Sequence, residues 1–169
     1  MLRPILKFGH HVLRRKAAPV DQITADLQPL IDDLIETMHA APGVGLAAPQ
    51  VGVPLRLFVV DISVGRRAED VRVFINPSFL ERDGMQLEEE GCLSLPGFTA
   101  TVARPARVVL KGWDRDGVER TVEGTGLLAR ALQHEMDHLE ATLFVDRLRG
   151  IKRDQIVRRI HKLSKRGAW

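Results

Sequence analysis

His134 and His138 stand four residues apart, with Glu135 beside the first of them. On a helix of 3.6 residues per turn the two imidazoles share a face and can grip one ion. Glu135 then sits about 100° round, off the ion but near its water. This is the equipment of a metal-assisted hydrolase, two ligands and a carboxylate that can take a proton. The neighbouring residues argue for the helix itself. Leu127, Leu128, Ala131, Leu132 and Leu139 repeat at helical spacing, and Gly124 and Gly126 bound its start. The histidines therefore turn inward with the apolar face. The plain alternative is a pair of half-buried core histidines with a solvated Glu.

Catalytic zinc-type sites use three protein ligands and keep a fourth position for water or substrate, so the third ligand decides the enzyme class. A metzincin would carry Gly and His where this chain has Ala141 and Phe144. A thermolysin-like site takes a downstream Glu from a second helix, and only Glu140, badly placed, follows His138. Asp146 and Asp154 remain formal candidates, though many such peptidases set a Tyr or His near the oxyanion and this chain has no Tyr. The stronger candidate lies upstream. Cys92, the only cysteine, sits in Glu90-Gly91-Cys92-Leu93-Ser94-Leu95-Pro96. A lone thiol is usually a small core residue. Here Gly91 permits a close backbone approach and Pro96 ends the segment rigidly. Glu88, Glu89 and Glu90 also place acid where a buried core strand would carry none. A thiolate suits a soft or borderline divalent ion. Cys92 as a nucleophile would need a histidine base without a metal role, and the clustered histidines are already arranged as ligands.

Three segments together resemble the peptide deformylases: Gly43-Val44-Gly45-Leu46-Ala47-Ala48-Pro49-Gln50-Val51-Gly52, Glu90-Gly91-Cys92-Leu93-Ser94, and Gln133-His134-Glu135-Met136-Asp137-His138-Leu139. The resemblance spans nearly the whole chain. It implies that Cys92, His134 and His138 bind the metal and that Glu135 is the acid and base. It also implies that the Gln50 amide and the Leu93 backbone N–H stabilise the developing oxyanion. The reaction would remove the formyl group from N-formylmethionyl nascent peptides, releasing formate and a free amino-terminal Met. Small residues at Gly43, Val44 and Gly45 let main chain approach a ligand closely. The resemblance extends this to a peptide added as a strand against Val44, Gly45 and Gly91 main chain, with Val44, Leu127 and Ala131 as candidates for a Met pocket. Family practice points to one divalent ion, ferrous iron natively, with zinc, nickel or cobalt also accepted, whereas the ligand types alone read as zinc. One departure stands out. Many relatives carry an Arg shortly after the Cys motif, where this chain has Gly97-Phe98-Thr99. Arg104 is in reach of Glu90 as an ion pair that could hold the Cys segment, with a solvated charge as the alternative. Two rivals remain, a zinc peptidase cleaving backbone amides and a silent module with a structural metal, which would need a fourth protein ligand.

These residues need a scaffold, and 169 residues fit a single domain, 1–169. Leu27, Leu30, Ile31, Leu34, Ile35 and Met38 predict a helix from Thr24 to Ala40, stopped by Pro42. Apolar, β-branched runs predict strands at Leu55 to Ile62, Val71 to Phe79 and Ala100 to Trp113. A turn at Asp114-Arg115-Asp116-Gly117 leads into Val118 to Val122. Strands grouped between helices predict an α+β fold, mostly antiparallel strands packed around the central His-Glu-x-x-His helix, with an N-terminal and a C-terminal helix. No apolar run suggests a secretory signal or membrane span, and one cysteine forbids an internal disulfide, so a reducing cytoplasm is expected. Neither a membrane nor DNA is an expected partner. The net charge of +3 hides a split. Residues 147–169 hold nine Lys or Arg against one acid, for +8, leaving 16 basic against 21 acidic residues, or −5, before them. Ile151, Ile156, Ile160 and Leu163 could stripe a basic amphipathic helix there. Such a helix is either a solvated face or a contact to ribosomal RNA.

Overall fold

The computed structural model describes residues 1–169. Its elements are α1 (Gln28–Ala40), β1 (Gly45–Ala47), β2 (Leu57–Val60), β3 (Arg72–Asp83), β4 (Gln86–Gly91), β5 (Thr99–Arg104), β6 (Arg107–Trp113), β7 (Glu119–Thr125), α2 (Gly126–Leu139) and α3 (Ile151–Lys165). Five strands form an antiparallel sheet in the order β1-β2-β3-β6-β7, and β4 and β5 form a separate hairpin. The architecture is α+β, as expected. No helix is long and apolar enough to cross a membrane.

Both faces of the five-stranded sheet are covered. Leu57 and Val59 of β2 face Leu30, Ile31, Leu34 and Met38 of α1, while Phe58 and Val60 face Leu132, Met136 and Leu139 of α2. A strand covered on both sides reads as an unbroken apolar run, which is how Leu57 to Val60 appears in the sequence. Each fully buried Leu in these layers contributes roughly 1.5–3 kcal/mol. Helix α2 is buried from Ala129 to Leu139 without interruption, because the β4–β5 hairpin covers the side that the sheet leaves open. It follows directly from β7. Gly126 adopts φ +53°, and a Cβ on Gly124 would lie 3.0 Å from Leu128 Cγ, so this tight entry depends on both glycines.

The third apolar cluster joins α3 to the Cys92 segment. Ile156 and Ile160 pack with Leu95, Ala100, Val102, Leu143, Phe144 and Val145. Of the expected stripe, Ile151 is 71% exposed and Leu163 only half-buried, so two isoleucines carry the docking.

Beyond shifts of strand ends and the short unforeseen strand β1, the elements differ from the sequence reading in three places. Helix α1 starts at Gln28, because Pro29 has no N–H to donate to Ala25 and the preceding residues form a 3₁₀ turn, Ala25–Leu27. The run Ala100 to Trp113 is two strands in different sheets, broken at Pro105 between β5 and β6. Strand β4 was not foreseen, since its acidic residues disguise it. Glu88 and Glu89 are exposed on a hairpin edge, and the buried Glu90 is neutralised by arginines.

Candidate metal centre

Helix α2 brings His134 and His138 to one face, and the turn after β4 lays Cys92 against them. His134 Nε2 and His138 Nε2 are 3.2 Å apart, and Cys92 Sγ is 3.4 Å from His138 Nε2. All three donor atoms lie within 4.8 Å of one another. Metal–nitrogen bonds of about 2.0–2.1 Å and metal–sulfur bonds of about 2.3 Å in a tetrahedron imply donor separations of roughly 3.3–3.6 Å. The donors are therefore already spaced to hold one ion. Asp146, the acidic alternative for the third ligand, is instead clamped by Arg14 and the Leu143 N–H.

Glu90 fixes the first ligand. Its Oε2 lies 2.5 Å from His134 Nδ1, which leaves Nε2 turned toward the other donors. A carboxylate behind a ligating histidine sets its ring orientation and makes it a better ligand. The Arg104 guanidinium grips Glu90 through two bonds of 2.8 and 2.7 Å, and Arg130 adds a third at 2.7 Å. Arg104 also reaches Asp137, which in turn binds Arg147. Burial alone would push the Glu90 carboxyl up, but Arg104 and His134 outweigh it and hold it well below the ordinary carboxylate range. Burial likewise opposes a proton on His134. Glu135, Cys92 and Glu90 overcome this and hold its pKa well above the ordinary value, so the cluster stabilises positive charge at this point. Burial and the neighbouring His134 push His138 well below it. His138 Nδ1 has no protein partner, so no residue behind that ring orients it as Glu90 orients His134.

Glu135 faces the same space. Its Oε1 is buried without any partner, and burial pushes the carboxyl up to about 7, against the lowering influence of His134. A pKa near neutrality suits a group that accepts and returns a proton. Gln50 is buried nearby. Its Oε1 accepts from Ala47 N–H at 3.0 Å, which aims Nε2 at Ser94 Oγ (3.0 Å) and Cys92 Sγ (3.8 Å). Leu93 N–H has no acceptor within the protein.

A cleft of about 820 Å³ opens beside these groups. Val44, Gly45, Gly91, Gln50, Leu93, Leu127, Ala131, His134 and Glu135 all line it, together with Cys92. His138 stands behind them, fully buried. Strand β1 is the outer strand of its sheet and β4 has a partner on one side only, so two strand edges are available to an extended peptide. Phe98, flagged in the sequence within Gly97-Phe98-Thr99, lines the cleft, while sequence reasoning gave no role to Arg130, Asp137, Ser94 and Ile5. A buried Arg one turn before His134, on a helix face otherwise apolar, is the signal that could have found Arg130. Asp137 and Ser94 lie inside the quoted motifs, but their partners Arg104, Arg147 and Gln50 come from elsewhere in the fold, as does Ile5.

The Polypeptide deformylase family model matches residues 2–154. The chain is 53% identical over 150 residues to a peptide deformylase of Thermodesulfovibrio yellowstonii, covering 89% of this chain and 91% of that one. It is 44% identical over 169 residues to a peptide deformylase of Acidobacterium capsulatum, covering 100% and 99%. Among solved structures it superposes on a peptide deformylase from Legionella pneumophila with TM-score 0.92 at 43% identity, covering 99% of this chain and 98% of that one.

Proposed function

Since the chain belongs to the polypeptide deformylase family, we propose how its own residues divide the work of removing the N-formyl group from nascent polypeptides. It is a metal-dependent hydrolase of that class, and Cys92, His134 and His138 form its metal-binding group. The ion they would hold supplies Lewis acidity, bringing a water toward ionisation at neutral pH. Glu135 takes the proton from that water as its oxygen bonds to the formyl carbon. Negative charge collects on the formyl oxygen, where Gln50 Nε2 and Leu93 N–H are the donors. Glu135 then passes the proton to the departing amine as the carbon–nitrogen bond breaks, leaving formate and a free amino-terminal Met. The observation that carries this division is Glu135 itself, buried and unpartnered beside three convergent donors.

Val44, Gly45 and Gly91 main chain would hold the peptide as an added strand, and Val44, Leu127 and Ala131 would receive the Met side chain. The thiolate in the donor set favours a borderline ion, and we assign ferrous iron as the native one, with zinc, nickel or cobalt as substitutes. Residues 1–169 act as one catalytic domain, because the site draws on residues from Val44 to His138 and no cut between them leaves it whole. A free thiol as ligand supports a reducing cytoplasm.

The test is formate release from formyl-Met-Ala-Ser by anaerobically purified protein with its metal counted. One ion per chain and formate release are expected of the wild type, and Cys92→Ala should lose both. Fully metallated wild type that yields a shortened peptide in place of formate would make the enzyme a peptidase.

The exposed face of α3 carries Lys152, Arg158, Arg159, Lys162 and Lys165, and we assign it to phosphate contacts on the ribosome. Deleting residues 150–169 is a poor test, because Ile156 and Ile160 cover Leu95 and Val102. Changing the five cations to Gln should instead weaken ribosome cosedimentation most at low salt and leave formate release from free peptide intact. Cosedimentation that does not change removes the assignment.

A further inference from the structure

One wall of the cleft is built from Pro96, Gly97 and Phe98. Its tip is bare. A Cβ on Gly97 would meet nothing within 4 Å, and Pro96 and Gly97 are exposed. The segment is anchored at its ends, where Phe98 N–H donates to Leu95 O at 3.2 Å and the Thr99 hydroxyl reaches Glu89. The Phe98 ring packs on the third apolar cluster and meets a second aromatic ring from residue 169.

Helix α3 ends on Gly167, a left-handed residue at φ +69°, with Ala168 N–H donating to Leu163 O at 2.8 Å and Gly167 N–H to Ser164 O at 3.1 Å. This turn returns the chain toward the Cys92 segment and seats Trp169 there. The indole packs edge-to-face on Phe98, with centroids 5.8 Å apart and planes at 65°. Its Nε1–H donates to Phe8 O at 2.9 Å, and Phe8 N–H donates to Ser94 O at 2.8 Å. The indole thus braces the wall at Phe98, while Phe8 ties the same indole to Ser94, two residues from Cys92. Trp169 lies beyond the span matched by the family model.

We propose that Trp169 is a positioning residue for peptide binding, which through Phe98 sets the Pro96-Gly97-Phe98 wall of the cleft. Neither aromatic side chain hydrogen-bonds Glu135 or a donor side chain, the indole N–H being taken by Phe8 O, so the wall governs how the peptide is held and leaves the bond-breaking groups alone. The inference rests on the deformylase reading of the cleft.

Trp169→Ala should raise KM for formyl-Met-Ala-Ser, and the inhibition constant of the product Met-Ala-Ser, about threefold to tenfold. We expect kcat to stay within about twofold and the metal content to be full, since uniform binding is what is lost. Trp169→Phe, which keeps a ring against Phe98, should recover most of the loss. Phe98→Leu should reproduce it, and adding Trp169→Ala to Phe98→Leu should change little more. An unchanged KM in Trp169→Ala or in Phe98→Leu would overturn the proposal. So would a joint fall of kcat and metal content, or a Trp169 effect undiminished in the Phe98→Leu background. If Trp169→Ala does not fold, Phe98→Leu and Trp169→Phe decide the matter by the same criteria. Wild type that releases no formate would fail the deformylase reading instead.

Discussion

Replacing Glu135 by Gln is expected to lower kcat by about 10²- to 10⁴-fold while the protein keeps its full metal content. The two halves of this result have separate causes. Glu135 is not among the three donor side chains, so its amide analogue leaves the metal-binding group intact. Its carboxylate nevertheless lines the cleft beside Cys92 and His134 with one oxygen unpartnered, and an amide cannot carry the proton from water to amine. Loss of metal in Glu135→Gln would mean that the residue helps to build the site and that its catalytic role is unproven. The position of the carboxylate can be tested without touching its chemistry. A Cβ on Gly45 would stand 2.6 Å from Glu135 Oε2 and 2.9 Å from its Cδ, so Gly45→Ala must push the carboxylate away. A Cβ on Gly43 would meet only the end of the Leu93 side chain, at 2.9 Å, which can swing aside. Gly45→Ala should therefore cost much of the activity and Gly43→Ala little. Equal effects would mean that the glycines serve the peptide edge and not the base.

Much of this site was legible in the sequence because its chemistry depends on local spacing. His134, Glu135 and His138 need only a helix to converge, and the apolar residues around them announce that helix. Cys92 was reachable by eliminating other third ligands, and the pairing of Arg104 with Glu90 by charge. What local spacing cannot express was lost. The second arginine that neutralises Glu90, Arg130, comes from α2, and nothing in the run Glu88-Glu89-Glu90 marks the last as the one that β4 turns inward. Alternation is weak in β4 for the same reason, so the strand passed as a loop. Between β5 and β6 the stretch Arg104-Pro105-Ala106-Arg107 carries the break, and the pairing of the two strands in different sheets is what the sequence does not express. Trp169 and Phe98 are 71 positions apart, a contact that no periodicity reports.

That hidden carboxylate gives the second large effect. Glu90→Gln keeps the shape of the side chain and removes its charge, leaving Arg104 and Arg130 buried with Asp137 as the remaining acid. Breaking a buried ion pair by removing one partner costs about 3–5 kcal/mol, because the surviving charge keeps its desolvation penalty. For a chain of this length that corresponds to a fall in Tm of roughly 6–20 °C. Glu90 also touches a metal ligand, so metal affinity should fall by about 10- to 100-fold as His134 loses the acceptor that orients it. Asp137→Asn separates the two effects. Asp137 binds Arg104 and Arg147 and makes no hydrogen bond to a donor side chain, so its loss should lower Tm while metal affinity stays near that of the wild type. If Glu90→Gln lowers Tm and leaves metal affinity unchanged, Glu90 serves the arginine network alone and His134, like His138, needs no acceptor behind its ring. If both variants weaken metal binding equally, the network acts as one unit, and the cation that Cys92, His134 and His138 hold is stabilised by its net charge and not by the single contact from Glu90 to His134.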